Sequence, residues 1–94
     1  MEATVRFIGV LRNISGKSKL TIKSKDEIPI REAVKRIVEE LPKLRRALID
    51  QELKDPRPNT LILVNGREIS VLNGLETVLK DRDEVVFISV LHAG

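Results

Sequence analysis

The strongest constraint on this chain is a change of period at Ile30. From there the apolar residues Ile30, Ala33, Val34, Ile37, Val38 and Leu41 fall at i, i+3, i+4, i+7, i+8 and i+11, one stripe of a helix with about 3.6 residues per turn. The spacing predicts one amphipathic helix over Ile30 to Leu41, ended by Pro42. Pro29 suits its first position, which forces Ile28 into an extended conformation and leaves no good side-chain cap. Asp26 and Glu27 put negative charge near the positive end of the helix. On the outer side Glu32 and Arg36 form a favourable i, i+4 pair, whereas Arg31 and Lys35 repel.

On both sides of this helix the period is two. Ala3 to Leu11 reads as a strand with Val5, Phe7 and Gly9 on one face and Arg6, Ile8 and Val10 on the other. Asn13 to Lys17 supplies turn residues, and Lys19 to Ser24 alternates Leu20 and Ile22 with Thr21 and Lys23, so the two segments predict an N-terminal hairpin. After the main helix, Lys43 to Asp50 reads as a second short helical stretch with Leu44, Ala47 and Leu48 inward. The prolines in Lys54 to Asn59 make a surface loop. Thr60 to Val64 is an apolar strand, and Asn65-Gly66 is a tight-turn signal because both residues tolerate positive φ. Arg67 to Ser70 then reads as a short returning strand, Leu75 to Lys80 as one helical turn with Leu75 and Leu79 inward, and Asp81 to Asp83 as a turn into the last strand. One helix on one face of a mixed sheet is α+β, and 94 residues make a single domain.

Composition removes several function classes. There is no cysteine, hence no disulfide, thiolate nucleophile or cysteine-based metal site. Neither a signal-like N-terminus nor 18 consecutive apolar residues is present, so the expectation is a soluble, cytoplasmic protein with no membrane partner. Seventeen Lys and Arg against fourteen Asp and Glu give a net charge of +3, spread along the chain apart from Lys17, Lys19, Lys23 and Lys25. With Phe7 and Phe87 as the only aromatics, and both in strands, a nucleic-acid surface lacks stacking residues and a solvated charged face is the better reading. A charged fraction of 33% suits a thermophilic source rich in surface ion pairs. Gly16-Lys17-Ser18 lacks the preceding spacing of a phosphate loop. His92, the one histidine, has no companions for a metal site or a triad, and the spacing of Asp81, Asp83 and Glu84 fits a turn rather than a cation loop. No metal and no bound cofactor are expected.

The end of the chain reads as the part that carries the chemistry, with its terminal carboxylate as the expected reactive group. Glu84 to Leu91 forms a strongly apolar strand that runs directly into His92, Ala93 and Gly94. Three extended residues reach about 10 Å, enough to enter a partner's cleft without unfolding the strand. A carboxylate is a poor acyl donor until its oxygen becomes a leaving group, and a terminal glycine leaves the carbonyl open to attack. Nothing in the chain binds ATP, so activation must come from another protein.

Asp81-Arg82-Asp83-Glu84-Val85, the apolar strand and the small terminal pair resemble the end of the ubiquitin-like sulfur carriers, the family of MoaD, ThiS and a eukaryotic ubiquitin-related modifier. Gly94 falls on that family's last glycine, Ala93 on a penultimate position where the family has glycine, and Arg82 on another glycine position. The likeness extends to Leu63-Val64-Asn65-Gly66-Arg67-Glu68, the main helix and the N-terminal strand. It implies a β-grasp fold of four to five strands with the first and last strands parallel at the centre. It also implies a tail, residues 92 to 94, whose Gly94 becomes an acyl adenylate and then a thiocarboxylate. The partners it implies are an E1-like adenylating enzyme of the MoaB/ThiF type, similar to MoeB, which uses the ATP, and a large molybdopterin synthase subunit similar to MoaE. In that setting the chain is the small subunit of the synthase and catalyses nothing alone. Sulfur delivery to tRNA or thiamin, joining to target-protein lysines, and a non-conjugating interaction module are the other readings.

A second constellation lies on the sheet. If Val85 and Phe87 face the helix, then Val86, Ile88 and Val90 point away from it, with Ile8, Val10 and Leu63 beside them. A one-layer sheet should leave that face polar. The apolar face beside the tail therefore reads as a partner-binding surface, unless the second helical stretch or a second copy covers it.

Overall fold

The computed structural model describes residues 1–90. It contains seven strands: β1 (Glu2–Ile8), β2 (Lys19–Lys23), β3 (Ile28–Pro29), β4 (Thr60–Val64), β5 (Arg67–Glu68), β6 (Val78–Leu79) and β7 (Glu84–Ser89). The α-helices are α1 (Val10–Ser15), α2 (Ile30–Glu40) and α3 (Arg45–Leu48). Five strands form a mixed sheet in the order β2-β1-β7-β4-β5. β1 and β7 run parallel, and β7 is flanked on its other edge by antiparallel β4. The main helix α2 presses Ile30, Ala33, Val34, Ile37 and Val38 onto one face of this sheet. That face supplies Ala3, Val5 and Phe7 from β1, Ile62 and Val64 from β4, and Val85 and Phe87 from β7. The rings of Phe7 and Phe87 meet with centroids 6.3 Å apart, tilted at 45°, within the range of favourable aromatic pairs.

The N-terminal segment departs from the alternating pattern. β1 stops at Ile8 because Gly9 takes φ 74°, ψ −135°, a conformation open to glycine and costly for other residues. The chain then forms α1, closed by Gly16 in the left-handed conformation, whose N–H donates to the Arg12 carbonyl at 2.9 Å. The expected turn at Asn13 to Lys17 is thus largely helix, and β1 pairs with β2 across a helical connection instead of a tight turn. Leu11 is buried and Ile14 packs against the core, an i, i+3 pair that the apparent strand alternation had hidden. Val10, expected on the outer sheet face beside Ile8, instead opens α1 and belongs to no strand.

The smaller departures also show local chemistry overruled by packing. Pro29 is the cap of α2 and not its first residue. With Ile28 it forms β3, which pairs with β6 in a separate two-stranded ribbon. The expected helical turn at Leu75 to Lys80 is a 3-10 turn at Gly74–Glu76 leading to β6, and Leu79 is buried all the same. The returning strand after Asn65-Gly66 is only Arg67–Glu68, because Ile69–Val71 winds into a 3-10 turn that buries Ile69. The second helical stretch is present as a 3-10 turn, Pro42–Leu44, leading into α3, with Leu44 and Leu48 in the core. Asn65 and Gly66 both have positive φ, 49° and 82°, as the tight turn requires.

Candidate functional site

β7 is the last strand among the described residues. Its inner residues Val85 and Phe87 are fully buried, and each main-chain edge is paired, to β1 from Glu84 to Ile88 and to β4 from Val85 to Ser89. Beyond the strand the Val90 N–H donates to the Asn59 carbonyl at 2.9 Å. Asn59 and Thr60 are themselves buried, and the Thr60 hydroxyl donates to the Leu48 carbonyl at 3.2 Å, so the exit of β7 is pinned to the loop after α3. Residues 91–94, which hold the expected tail His92 and Ala93 and the expected reactive Gly94, lie outside the described residues.

The entry to β7 is held as firmly. Arg82 has φ 69°, the left-handed backbone expected at a position where the resembling family has glycine. Its N–H donates to the Glu2 carbonyl at 2.7 Å. The Asp83 carboxylate accepts from the Lys80 N–H at 2.8 Å and from the Asn65 side-chain amide at 2.9 Å, and Asn65 in turn accepts from the Glu84 N–H. Asp81 accepts from the Glu2 N–H at 2.8 Å. These acidic residues are turn braces, which explains their density. Among the described residues no group of three or more His, Cys, Asp or Glu is placed to hold a metal ion.

On the face away from α2 the register brings apolar residues together. Ile8 lies opposite Ile88, and Ile88 opposite Leu61; one pleat further along, Val86 lies between Arg6 and Leu63. Ile8 is 47% exposed and Val90 51%, while Val86, Ile88, Leu61 and Leu63 are half-buried. The second helical stretch contributes to the core layer through Leu44 and Leu48. Of the residues expected here, the structure therefore brings together Ile8, Leu63, Val86 and Ile88, with Val90 next to them at the exit of β7, and removes Val10. Leu61 was missed, although it shares the alternation of Leu63 and that parity was the available signal. The patch is edged by a Glu84–Arg6 ion pair at 2.8 Å, with both side chains 46% exposed; a pair so open to water contributes at most about 1 kcal/mol. It gives the apolar patch a charged border.

A five-stranded mixed sheet grasping one main helix, with the terminal strand parallel to the first and anchored to its end, defines a ubiquitin-like β-grasp protein. The chain matches the Urm1 (Ubiquitin related modifier) family over residues 2–94 and belongs to it. This is a branch of the ubiquitin-like sulfur carriers related to MoaD that the tail and strand motifs resemble. A "Ubiquitin-related modifier 1 homolog" of Dictyostelium discoideum is 28% identical over 99 residues and is covered, like this chain, in full. "Small archaeal modifier protein 3" of Haloferax volcanii is 31% identical over 86 residues, 90% of each chain. Among solved structures, the crystal structure of SAMP1 from Haloferax volcanii superposes with a TM-score of 0.84 over all of both chains at 14% identity, a likeness of fold.

Proposed function

We propose that this protein is a sulfur carrier of the ubiquitin-related modifier branch whose Gly94 carboxylate is the reacting group. The observation that carries the reading is the family match itself, which runs through His92, Ala93 and Gly94. It is supported by the way β7 is buried, paired on both edges and pinned at Val90, so that the last residues depart from a defined place.

In this reading an E1-like adenylating enzyme docks on the apolar face formed by Ile8, Leu61, Leu63, Val86 and Ile88 and receives the tail. The Gly94 carboxylate oxygen attacks the α-phosphorus of ATP and pyrophosphate leaves. Sulfide then displaces AMP to give the thiocarboxylate directly; a protein persulfide instead displaces AMP as an acyl disulfide, and a second thiol of the donor cleaves its S–S bond, releasing the thiocarboxylate and leaving a disulfide on the donor. The carrier supplies no acid, base or metal for these steps; it supplies an acyl group with little steric hindrance and a rigid body by which to hold it. Ala93, where a glycine is usual, adds one methyl group to the tail, which an extended path through the enzyme tolerates.

For the acceptor, membership of the ubiquitin-related modifier branch favours tRNA thiolation or attachment to protein lysines. The role of small molybdopterin synthase subunit, with a MoaE-like large subunit, rests on the resemblance of the tail to MoaD. Incubation with ATP, a sulfur donor and the cognate adenylating enzyme is expected to raise the intact mass by the difference between sulfur and oxygen, and removal of Gly94 to abolish the change. An unchanged mass with an enzyme shown to be active overturns the carrier reading. Supplying the thiocarboxylate in turn with tRNA and its thiolation enzyme, with lysine-bearing proteins, or with the cyclic pterin precursor and the large subunit then identifies the acceptor by where the sulfur or the whole chain goes.

A further inference from the structure

A cleft of about 410 Å³ opens on the helical side of the molecule, away from the apolar sheet face, between α2, the start of α3 and the loop after α3. Its floor is aliphatic: Val34 and Val38 from α2, Ile49 and Pro56 from the loop, and Leu75 from the 3-10 turn. Its walls are basic, with Arg31 and Lys35 on one side and Arg45 and Lys54 on the other, against the single carboxylate of Glu39.

Glu39 faces the cleft without an ion-pair partner among the described residues, but three other carboxylates nearby are committed elsewhere. Glu76 pairs with Arg31 at 2.9 Å, and Asp55 pairs with Arg57. The Asp50 carboxylate accepts from the N–H groups of Glu52 and Leu53 at 3.0 and 2.8 Å. Lys35, Arg45 and Lys54 consequently have no ion-pair partner among the described residues. Lys54 is also held at φ 56°, a left-handed turn closed by its N–H donating to the Asp50 carbonyl at 2.8 Å, which fixes where its side chain leaves the loop.

We propose that this cleft is a second docking site, distinct from the sheet face, for an acidic peptide segment of a partner protein that alternates aliphatic side chains with carboxylates. The aliphatic floor calls for buried methyl groups, which a sugar-phosphate backbone does not offer. The two aromatic residues that could stack on bases, Phe7 and Phe87, are sealed in the core. The unneutralised cations at the rim call for carboxylates, and complementary charge fixes the register and speeds the encounter. Because α2 lies on one face of the sheet and the apolar patch on the other, a partner held here leaves the tail and the sheet face free for an activating or acceptor enzyme.

The test is an amide-resolved titration of the isotopically labelled full chain with a synthetic peptide alternating leucine and glutamate. Saturable shifts are expected at Val34, Val38, Ile49 and Leu75. Affinity should fall about tenfold or more in a Lys35→Glu/Lys54→Glu variant, and also when the peptide's glutamates become glutamines. Both lysines are exposed, so the variant should keep its fold; should its spectrum lose dispersion, Lys35→Gln/Lys54→Gln carries the same test with a smaller loss. Deleting Gly94 should leave peptide binding unchanged, which separates this site from the tail chemistry. Shifts confined to Ile8, Leu61 and Ile88, equal affinity in the charge-reversed variant, or cleft shifts produced by oligouridylate RNA but not by the peptide each overturn the proposal.

Discussion

The two faces of β7 are made of the same kinds of residue and do opposite things. Val85 and Phe87 point at α2 and are sealed, whereas Val86 and Ile88, one position away in each case, look out from the other side of the sheet and stay partly in water. Ile8 on the neighbouring strand is nearly half exposed although it is as apolar as the fully buried Val5. Hydropathy therefore does not separate the sealed face from the open face here. Only the position of α2 does, since burial and not residue type turns an apolar side chain into folding free energy. An apolar residue left on the open side contributes less to the fold and is available to a partner.

The largest expected effect is on the sealed face. Phe87→Ala should cost about 3 to 5 kcal/mol in denaturant unfolding, because it removes a fully buried ring and its contact with Phe7. A loss under about 1 kcal/mol would mean that the core closes around the gap and that the two faces differ less than their burial suggests. On the open face, Ile8→Asp should cost the free protein no more than about 1 kcal/mol while weakening the proposed complex with an adenylating enzyme by about 2 kcal/mol or more, because the carboxylate stays hydrated until a partner covers it. Unfolding of the variant, or full affinity, would break the comparison from the other side. The smallest effect concerns the turn that sets which residue of β7 faces which way. Arg82→Gly relieves a left-handed non-glycine residue, and although it frees the unfolded chain somewhat, a gain of up to about 1 kcal/mol is expected with both faces unchanged. A loss of stability in that variant would show that the Arg82 side chain itself braces the turn, a contact that a glycine cannot replace.

Some of this architecture was legible in the residues. The stripe from Ile30 to Val38 specifies α2 because its period fits only a helix, and Asn65-Gly66 specifies the turn between β4 and β5 because few other pairs tolerate two positive φ angles. The alternation of Lys19 to Lys23 gives β2 with Leu20 and Ile22 inward. The terminal strand and the apolar outer residues Ile8, Leu63, Val86 and Ile88 were likewise readable, since alternation alone assigns their parity.

Tertiary structure decided the rest. Whether Gly9 would carry the strand on or break it could not be read locally, because glycine permits both; the break came with Leu11 and Ile14 reaching the core as a helix, and it took Val10 off the sheet. Val78 and Leu79 became a strand and not part of a helical turn because Ile28 and Pro29, far away in the chain, offered an edge to pair with. Leu61 shares the parity of Leu63 in the sequence, and the structure adds only its place opposite Ile88, whereas the basic cleft exists only where α2, α3 and the loop after it converge. Local propensity fixes the features that depend on neighbours along the chain. Pairing partners, burial and clefts depend on residues brought together across it, and their energies enter only when the whole sheet and helix have closed.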